Sequence, residues 1–410
     1  MVSDNDFMKY LILGNGAAGT TAADKLHDLN KNGKIKLISS DDSVAYAKIM
    51  LPDYIGGKIS RERLFLRNED YYKNKGIELL KGRKAIKICT EKHYIELDNN
   101  TVEYYDKLLI ATGSIPFVPY ICGLDTIEYY TINSLKDADI IKGKAKKDQT
   151  AIVLGGGLTG IEMCFALARL GVKPYLVEKN ECILPSQLNE AGTEIMKTWL
   201  NKDGIEILTG KSLEKISSKK EEFSEKKEAF FSGGQVLKFD LLICAVGTRP
   251  NISLVKESII SVNRGILVDK CMNTNIEGIY AAGDVCELES GQVPGYVSTY
   301  IWPNAMAQGK CAAYNMCGQE SDLSSNGSSI NPTQLRDMPF YSMGLVKPKE
   351  QNDYEVLEHE DSNQKIYKKI VLKENAIKGF ILIGDTSSAR ELTSFLKNNT
   401  NISDVKEKLY

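Results

Sequence analysis

No two cysteines in this 410-residue chain stand in a C-x-x-C arrangement, although there are nine of them. The nearest pair, Cys311 and Cys317, is separated by five residues. That spacing argues against an iron–sulfur or zinc site and against a dithiol redox motif. Several cysteines sit in apolar runs, such as LLICAVG and GIEMCFALARL, and read as small buried hydrophobes in a reduced protein. Histidine is scarce. His27 and His93 fall in helix and strand contexts and His359 in an acidic loop, none with a partner for acid–base work. No apolar run reaches the roughly 20 residues of a membrane helix. The opening MVSDNDFMKYLILGNG lacks the basic-then-apolar pattern of a signal peptide, so a cytoplasmic location is expected. Net charge is only −2, so no nucleic-acid or membrane-surface partner is expected, and the cysteine spacing leaves no metal site to expect. Hydrophobic content of 42% and charged content of 26% fit a globular chain of two or three domains.

What is present is glycine in a particular pattern. In KYLILGNGAAGTTAADKL, an apolar strand Lys9–Leu13 leads into Gly14, Gly16 and Gly19, and an alanine-rich helix follows. This is the strand–turn–helix context that a G-x-G-x-x-G dinucleotide fingerprint requires. Gly14 makes the tight turn, Gly16 lets the backbone approach a diphosphate at the helix N-terminus, and Gly19 lets helix and strand pack closely. TAIVLGGGLTGIEMCFALARL repeats the unit with Gly155, Gly157 and Gly160, and Leu158 and Thr159 open its helix. The strand KPYLVE then ends at Glu178, close to the expected interval of about 20 residues for the acid that bonds an adenosine ribose 2′-hydroxyl. A carboxylate there repels a 2′-phosphate, so NADH is favoured over NADPH.

The duplication extends further. YDKLLIATGSIP (Tyr105–Pro116) and FDLLICAVGTRP (Phe239–Pro250) align without a gap, placing Asp106 with Asp240, Ala111 with Ala245 and Gly113 with Gly247. Each apolar strand closes a βαβ-type unit and ends in a glycine turn beside a nucleotide. The units differ at the ribose position. The first has Ser39, followed by Ser40 and Asp41, where the second has Glu178. Either the Ser39 hydroxyl accepts the ribose bond or Asp41 reaches back.

With TNIEGIYAAGDV (Thr274–Val285), these motifs resemble the FAD- and NAD(P)-dependent pyridine nucleotide–disulfide oxidoreductase superfamily. The resemblance implies an α/β fold with two nested Rossmann-like, glutathione-reductase-type domains plus a small α+β C-terminal domain. Residues 1–117 and 246–320 form a discontinuous FAD-binding domain, residues 118–245 the NADH-binding domain, and residues 333–410 the C-terminal interface domain. It also implies an FAD set of Gly14, Gly16, Ala17, Ala18, Gly19, Ser39, Ser40, Asp41, Lys48, Ala85, Ala111, Thr112, Gly113, Gly283, Asp284 and Trp302. The NAD set is Gly155, Gly157, Leu158, Thr159, Gly160, Glu162, Glu178 and Gly247. Trp302 either lines the flavin or acceptor path or is a packing residue. GQESDLSSNGSSINP (Gly318–Pro332) reads as a polar linker, and KKEEFSEKKE (Lys219–Glu228) as a solvated hairpin tip.

Relatives that pass electrons through sulfur carry C-x-x-x-x-C in the first helix or one cysteine in the segment AYAKIMLPDYIGG (Ala45–Gly57). Neither is present. The segment instead resembles the Y-x-[KR]-x-x-L form of rubredoxin, ferredoxin and nitrite reductase flavoproteins. Lys48 is then a cation beside the flavin, paired with Glu162, and the two are the catalytic candidates. Read alone, Lys48 is a loop cation and Glu162 an acid favoured by a helix N-terminus. The resemblance implies an FAD-dependent NADH:acceptor oxidoreductase, a monomer or homodimer whose partner is a small rubredoxin-like electron carrier. The alternatives are an NADH oxidase, an NADH-dehydrogenase component of a nitrite reductase-like system, and a redox-sensing flavoprotein.

Overall fold

The structure, a computed structural model, describes residues 7–220, 225–289, 296–297, 301–323, 333–335, 337–348 and 353–401. The chain divides into two units. The first comprises Met1–Met50, Ser60–Ile115 and Thr248–Ser329, and the second Leu51–Ile59, Pro116–Gly247 and Ile330–Tyr410.

The first unit is built on a five-stranded parallel sheet. Its strands lie in the order Ile279–Ala281, Lys107–Ile110, Lys9–Leu13, Lys34–Ser39 and Ile77–Lys81. Runs such as KYLIL and KLLI suit this sheet because parallel strands are covered on both faces and so read as nearly unbroken apolar stretches. Leu11, Ile12, Leu37, Leu108 and Leu109 are all buried, each contributing on the order of 1.5–3 kcal/mol. Helix Ala17–Leu29 covers the sheet, and helix Trp302–Met316 packs against it. The two approach closely because Gly309 has no side chain to meet the Ala18 backbone. A smaller antiparallel sheet of Ala85–Cys89, Tyr94–Leu97 and Val102–Tyr104 and a three-stranded sheet of Ile266–Val268, Cys286–Glu289 and Tyr296–Val297 belong to the same unit. His93 lies in the turn before Tyr94 rather than in a strand, with a φ of 52°. Its ring stacks on Tyr105 with centroids 5.6 Å apart.

The second unit repeats the design. Its parallel sheet runs Glu206–Leu208, Lys173–Val177, Thr150–Leu154, Leu241–Cys244 and Tyr130–Thr131, with helix Leu158–Arg169 following Thr150–Leu154. Strands Leu213–Lys220 and Glu225–Phe231 pair antiparallel, while the tip of that hairpin, residues 221–224, lies outside the described residues. So does the expected linker from residue 324 onward. The C-terminal part is a five-stranded antiparallel sheet whose Ile370, Leu372, Phe380 and Leu382 pack with Leu392 and Leu396 of helix Ala389–Asn398. His359 is in its edge strand Glu355–Asp361, opposite Lys368, not in a loop. The acidic run is held extended because Glu358 faces Lys369, whose Nζ lies 3.1 Å away.

Helix Leu51–Ile55 belongs to this second unit and is fixed there by side chains. Tyr54 OH donates to Asp139 at 2.6 Å, and Lys142 donates to the Tyr54 carbonyl at 2.8 Å. Asp337, ahead of strand Phe340–Gly344, takes Lys58 at 3.0 Å and also pairs with Arg169 of helix Leu158–Arg169. No helix among the described residues is long and apolar enough to cross a membrane.

The two sheets share more than an outline. Leu13 pairs with Ile38 and Leu154 with Val177, so Ser39 and Glu178 hold equivalent places at the ends of their strands. The Gly14 amide donates to the Ile38 carbonyl, and the Gly155 amide to the Val177 carbonyl, both at 2.8 Å. Asp106 accepts the Lys9 amide and Asp240 the Thr150 amide, both at 2.7 Å.

Candidate functional site: two glycine cradles

In the first cradle Gly14 has φ +113°, and a Cβ there would collide with the Ala111 carbonyl. A Cβ at Gly19 would strike the Gly14 carbonyl. These two glycines are needed by the protein itself. Gly16 is different, since a Cβ there would meet no heavy atom within 4 Å. Gly16 is also the N-cap of helix Ala17–Leu29 and supplies no side-chain cap, so the first amides of the helix have no capping side chain. Open space in front of uncapped N–H groups at a helix start suits a dinucleotide diphosphate. Ala17 and the buried Ala18 are the first two residues of that helix.

Around this turn the expected FAD residues fall into several bonded groups. Ser39 is buried and its Oγ accepts the Asp41 amide at 3.2 Å, while Ser40 is exposed. The Asp41 carboxylate accepts the Ser43 amide at 3.0 Å and the Tyr46 hydroxyl at 2.7 Å. Ala85 opens the small antiparallel sheet, packed against the unit's core. The Thr112 hydroxyl donates to the Asn251 carbonyl at 3.0 Å, and the Gly113 carbonyl accepts the Asn251 amide at 2.9 Å. Gly283 has φ +85° and donates its amide to Gln308 Oε1 at 2.7 Å. Asp284 follows and accepts the Ser114 hydroxyl at 3.0 Å. Burial pushes the Asp284 carboxyl up, and the Ser114 bond and the positive charge of Lys48 only partly oppose this. Lys48 is exposed on the short 3-10 turn Lys48–Met50. Trp302 is half-buried at the first position of its helix.

The second cradle follows the same rules. Gly155, at φ +105°, faces the Ala245 carbonyl, and Gly160 faces the Gly155 carbonyl. Gly157 and Gly247 have open space, and Gly157 is an N-cap without a side-chain bond. Leu158 and the exposed Thr159 open the helix, and Glu162 is half-buried further along it. The Gly247 carbonyl accepts the Phe117 amide at 2.9 Å. Glu178 is buried, and its carboxylate accepts the Gly156 amide at 2.6 Å, the Asn180 amide at 2.9 Å and the Asn180 side chain at 2.6 Å. Lys48 belongs to the first unit and Glu162 to the second. Their pairing stays a proposal.

Reading the sequence alone misses Tyr46, Ser114, Asn180 and Gln308. Tyr46, Ser114 and Gln308 reach their partners through folding, which spacing does not reveal. The cysteine expectation also needs adjusting. Cys164, Cys244, Cys286 and Cys311 are buried, but Cys122 is exposed.

A duplicated parallel sheet in which each copy ends in an open glycine turn at a helix start defines a protein of the class with two dinucleotide-binding units. Residues 8–309 match the family described as pyridine nucleotide-disulphide oxidoreductase, and residues 334–400 match the rubredoxin NAD+ reductase C-terminal domain. The chain belongs to the pyridine nucleotide-disulphide oxidoreductase family, which uses FAD and NADH. It is 31% identical over 96% of its length to the nitrite reductase [NAD(P)H] of Bacillus subtilis, and spans about half (48%) of that relative. It is 29% identical to the NADH-rubredoxin oxidoreductase of Clostridium acetobutylicum, covering 97% of this chain and 96% of that one. The crystal structure of NADH:rubredoxin oxidoreductase from Clostridium acetobutylicum has a TM-score of 0.77 at 27% identity, over 98% of this chain and 97% of that chain.

Proposed function

We propose that the chain is an FAD-dependent NADH oxidoreductase that delivers electrons to a small redox protein of the rubredoxin kind, in the cytoplasm. FAD is held by the first cradle, within residues 1–117 and 246–320, through Gly14–Gly19, Ala111–Gly113, Gly283 and Asp284. NADH is held by the second, within residues 118–245, through Gly155–Gly160 and Glu178. FAD held there would supply the exchange between two-electron and one-electron chemistry, taking one hydride from NADH and giving up its two electrons singly, which NADH alone does not do. The protein supplies position and charge. Glu178 orients the adenosine ribose and repels a 2′-phosphate, and Glu162 orients the nicotinamide end. Lys48, paired with Glu162, favours negative charge on the reduced cofactor.

The observation that carries this reading is the Ala45–Gly57 segment, which offers Lys48 and no cysteine. Without a low-pKa thiolate there, no sulfur relay follows the flavin, and the acceptor takes electrons from the cofactor itself. The match of residues 334–400 to a rubredoxin reductase C-terminal domain supports rubredoxin as the class of acceptor. A second reading, an NADH-oxidising module that feeds a separate reductase chain, is favoured by the half-length match to a nitrite reductase. Steady-state NADH oxidation against rubredoxin, ferredoxin, dioxygen and hydrogen peroxide separates them, because a module built for a separate reductase chain would turn over slowly with all four. Rubredoxin turning over fastest is expected. Equal rates with dioxygen alone would turn the reading to an oxidase.

A further inference from the structure

Within the second unit, the C-terminal sheet grips the stretch of chain that leaves Glu178. Lys347, exposed in the turn after strand Phe340–Gly344, donates through Nζ to the Pro185 carbonyl at 2.7 Å. Asn189 donates its side-chain amide to the Glu358 carboxylate at 3.3 Å. Trp199 Nε1 donates to the Lys365 carbonyl at 3.0 Å. The turn that carries Lys347 is itself fixed. The Leu345 amide donates to the Lys378 carbonyl at 2.8 Å, and Val346 is buried. Gly379 lets this turn sit close, since a Cβ there would collide with the Leu345 backbone.

Between Glu178 and Pro185 the chain folds back onto the second glycine turn. The Leu184 amide donates to the Gly156 carbonyl at 2.8 Å, while the Gly156 amide donates to Glu178 at 2.6 Å. One loop thus holds Gly156 at both its N–H and its C=O. To reach it, Leu184 takes φ +44°, a conformation that strains a leucine. Leu184 also precedes Pro185, and a residue before proline prefers extended backbone. Such strain persists only where the surroundings enforce it. Ile183, Leu184 and Leu188 are buried and hold the apolar side of the loop. On the polar side, the carbonyl of the very next residue is the one that Lys347 takes.

We propose that Lys347 is a positioning residue for the nucleotide: it clamps Pro185, keeps Leu184 bonded to Gly156, and so keeps Glu178 set for the adenosine ribose. This rests on the reading that the second cradle holds NADH. Lys347 meets no reacting atom and acts only through the loop. A loop ordered before the nucleotide arrives has less freedom to lose on binding, so the lysine strengthens affinity and leaves the hydride step alone.

The test is stopped-flow bleaching of the flavin-loaded full-length chain, with dioxygen excluded and NADH varied. The curve gives the dissociation constant for NADH and the limiting rate separately. Lys347→Met removes the donor and keeps the apolar stem. It should weaken NADH binding roughly threefold or more, with the limiting rate within about twofold of native and a native melting temperature. Lys347→Arg restores a donor and should return the dissociation constant to within about twofold. A smaller weakening in Lys347→Met, a limiting rate that falls while affinity holds, or no recovery in Lys347→Arg overturns the proposal. So does a Lys347→Met chain that does not fold, since the lysine then serves the fold. Glu178→Ala is the reference. If it weakens NADH binding and Lys347→Met does not, only the role of Lys347 falls. If neither does, the assignment of the second cradle to NADH falls with it.

Discussion

Glu178 and Gly156 are locked together: the carboxylate accepts the Gly156 amide at 2.6 Å, and its methylene groups lie where a residue-156 side chain would start. Asn180 adds two more bonds, so the acid is held in place before any cofactor arrives. A preorganised carboxylate discriminates well, because it accepts from a ribose hydroxyl and meets a 2′-phosphate with like charge. Glu178→Ala should lower kcat/KM for NADH and narrow the preference over NADPH by roughly tenfold or more, about 1.4 kcal/mol. Comparing kcat/KM for the two nucleotides checks this, and an unchanged ratio would remove Glu178 from cofactor choice.

Gly16 and Gly19 belong to one motif but serve different masters. A methyl at Gly19 collides with the Gly14 carbonyl, and a methyl at Gly16 meets nothing in the protein. Gly16 also has φ −87°, which alanine adopts freely. Gly16→Ala should therefore fold with a native melting temperature yet lose FAD affinity. Gly19→Ala should lose roughly 2 kcal/mol or more of stability, by overpacking a helix–strand contact. Circular dichroism melts and flavin absorbance of both variants decide it. Gly16→Ala that retains flavin at native occupancy would mean the open space is not the diphosphate site.

Lys48 tests the electron path. Its positive charge already acts on the buried Asp284 carboxyl within the same unit. Lys48→Ala should lower the flavin potential and slow reduction by NADH roughly tenfold, since a cation favours the anionic reduced cofactor. Stopped-flow bleaching of the flavin measures the rate, and a potential titration measures the cause. Native values for both would return Lys48 to the role of a surface cation.

How far the sequence carries can be judged from pairs of residues. The alignment of Asp106 with Asp240 was legible, and both carboxylates cap the first amide of the adjacent strand at 2.7 Å. The nested order was legible too, because duplication in sequence is duplication in hydrogen bonding. What stayed hidden depends on contacts between distant residues. Tyr46 reaching Asp41 leaves Ser39 and Asp41 tied into one loop, where the sequence left them as competing ribose anchors. Arg169 and Lys58 converging on Asp337 has no signature in spacing at all. Nor did charge pattern show that Glu358 and Lys369 would turn an acidic stretch into an edge strand.

Asp284 links pH to stability. Burial raises its carboxyl above the usual range, against the Ser114 bond and the Lys48 charge. The folded chain therefore holds this proton more tightly than the unfolded chain does. Its contribution is most favourable below the usual carboxylate range and falls as pH rises through the raised folded value. Asp284→Asn removes the buried charge and keeps an acceptor for Ser114. The flavin-free variant should be more stable than native at neutral pH, with the gap closing on acidification, while FAD affinity drops by roughly tenfold through a lost charged hydrogen bond. Urea unfolding across pH checks the first part, and equal stability at neutral pH would refute it.

Asp337 behaves in the opposite sense. Burial pushes its carboxyl up, but the bonds from Arg169 and Lys58 outweigh that and hold it below the usual range. A depressed acid adds stability above the unfolded value and loses it as pH falls through the folded value. Asp337→Ala takes the carboxylate from Arg169, leaves Lys58 with Asp53 at 3.7 Å, and should destabilise the second unit by roughly 1–3 kcal/mol at neutral pH. The difference between variant and native should shrink once the pH lies well below the usual carboxylate range, because the native carboxylate is then protonated as well. Asp337→Asn separates charge from shape: it should retain one hydrogen bond and recover part of the loss. Urea unfolding of the three proteins at neutral and acid pH measures this, and a constant gap would show that Asp337 acts by packing, since packing does not titrate.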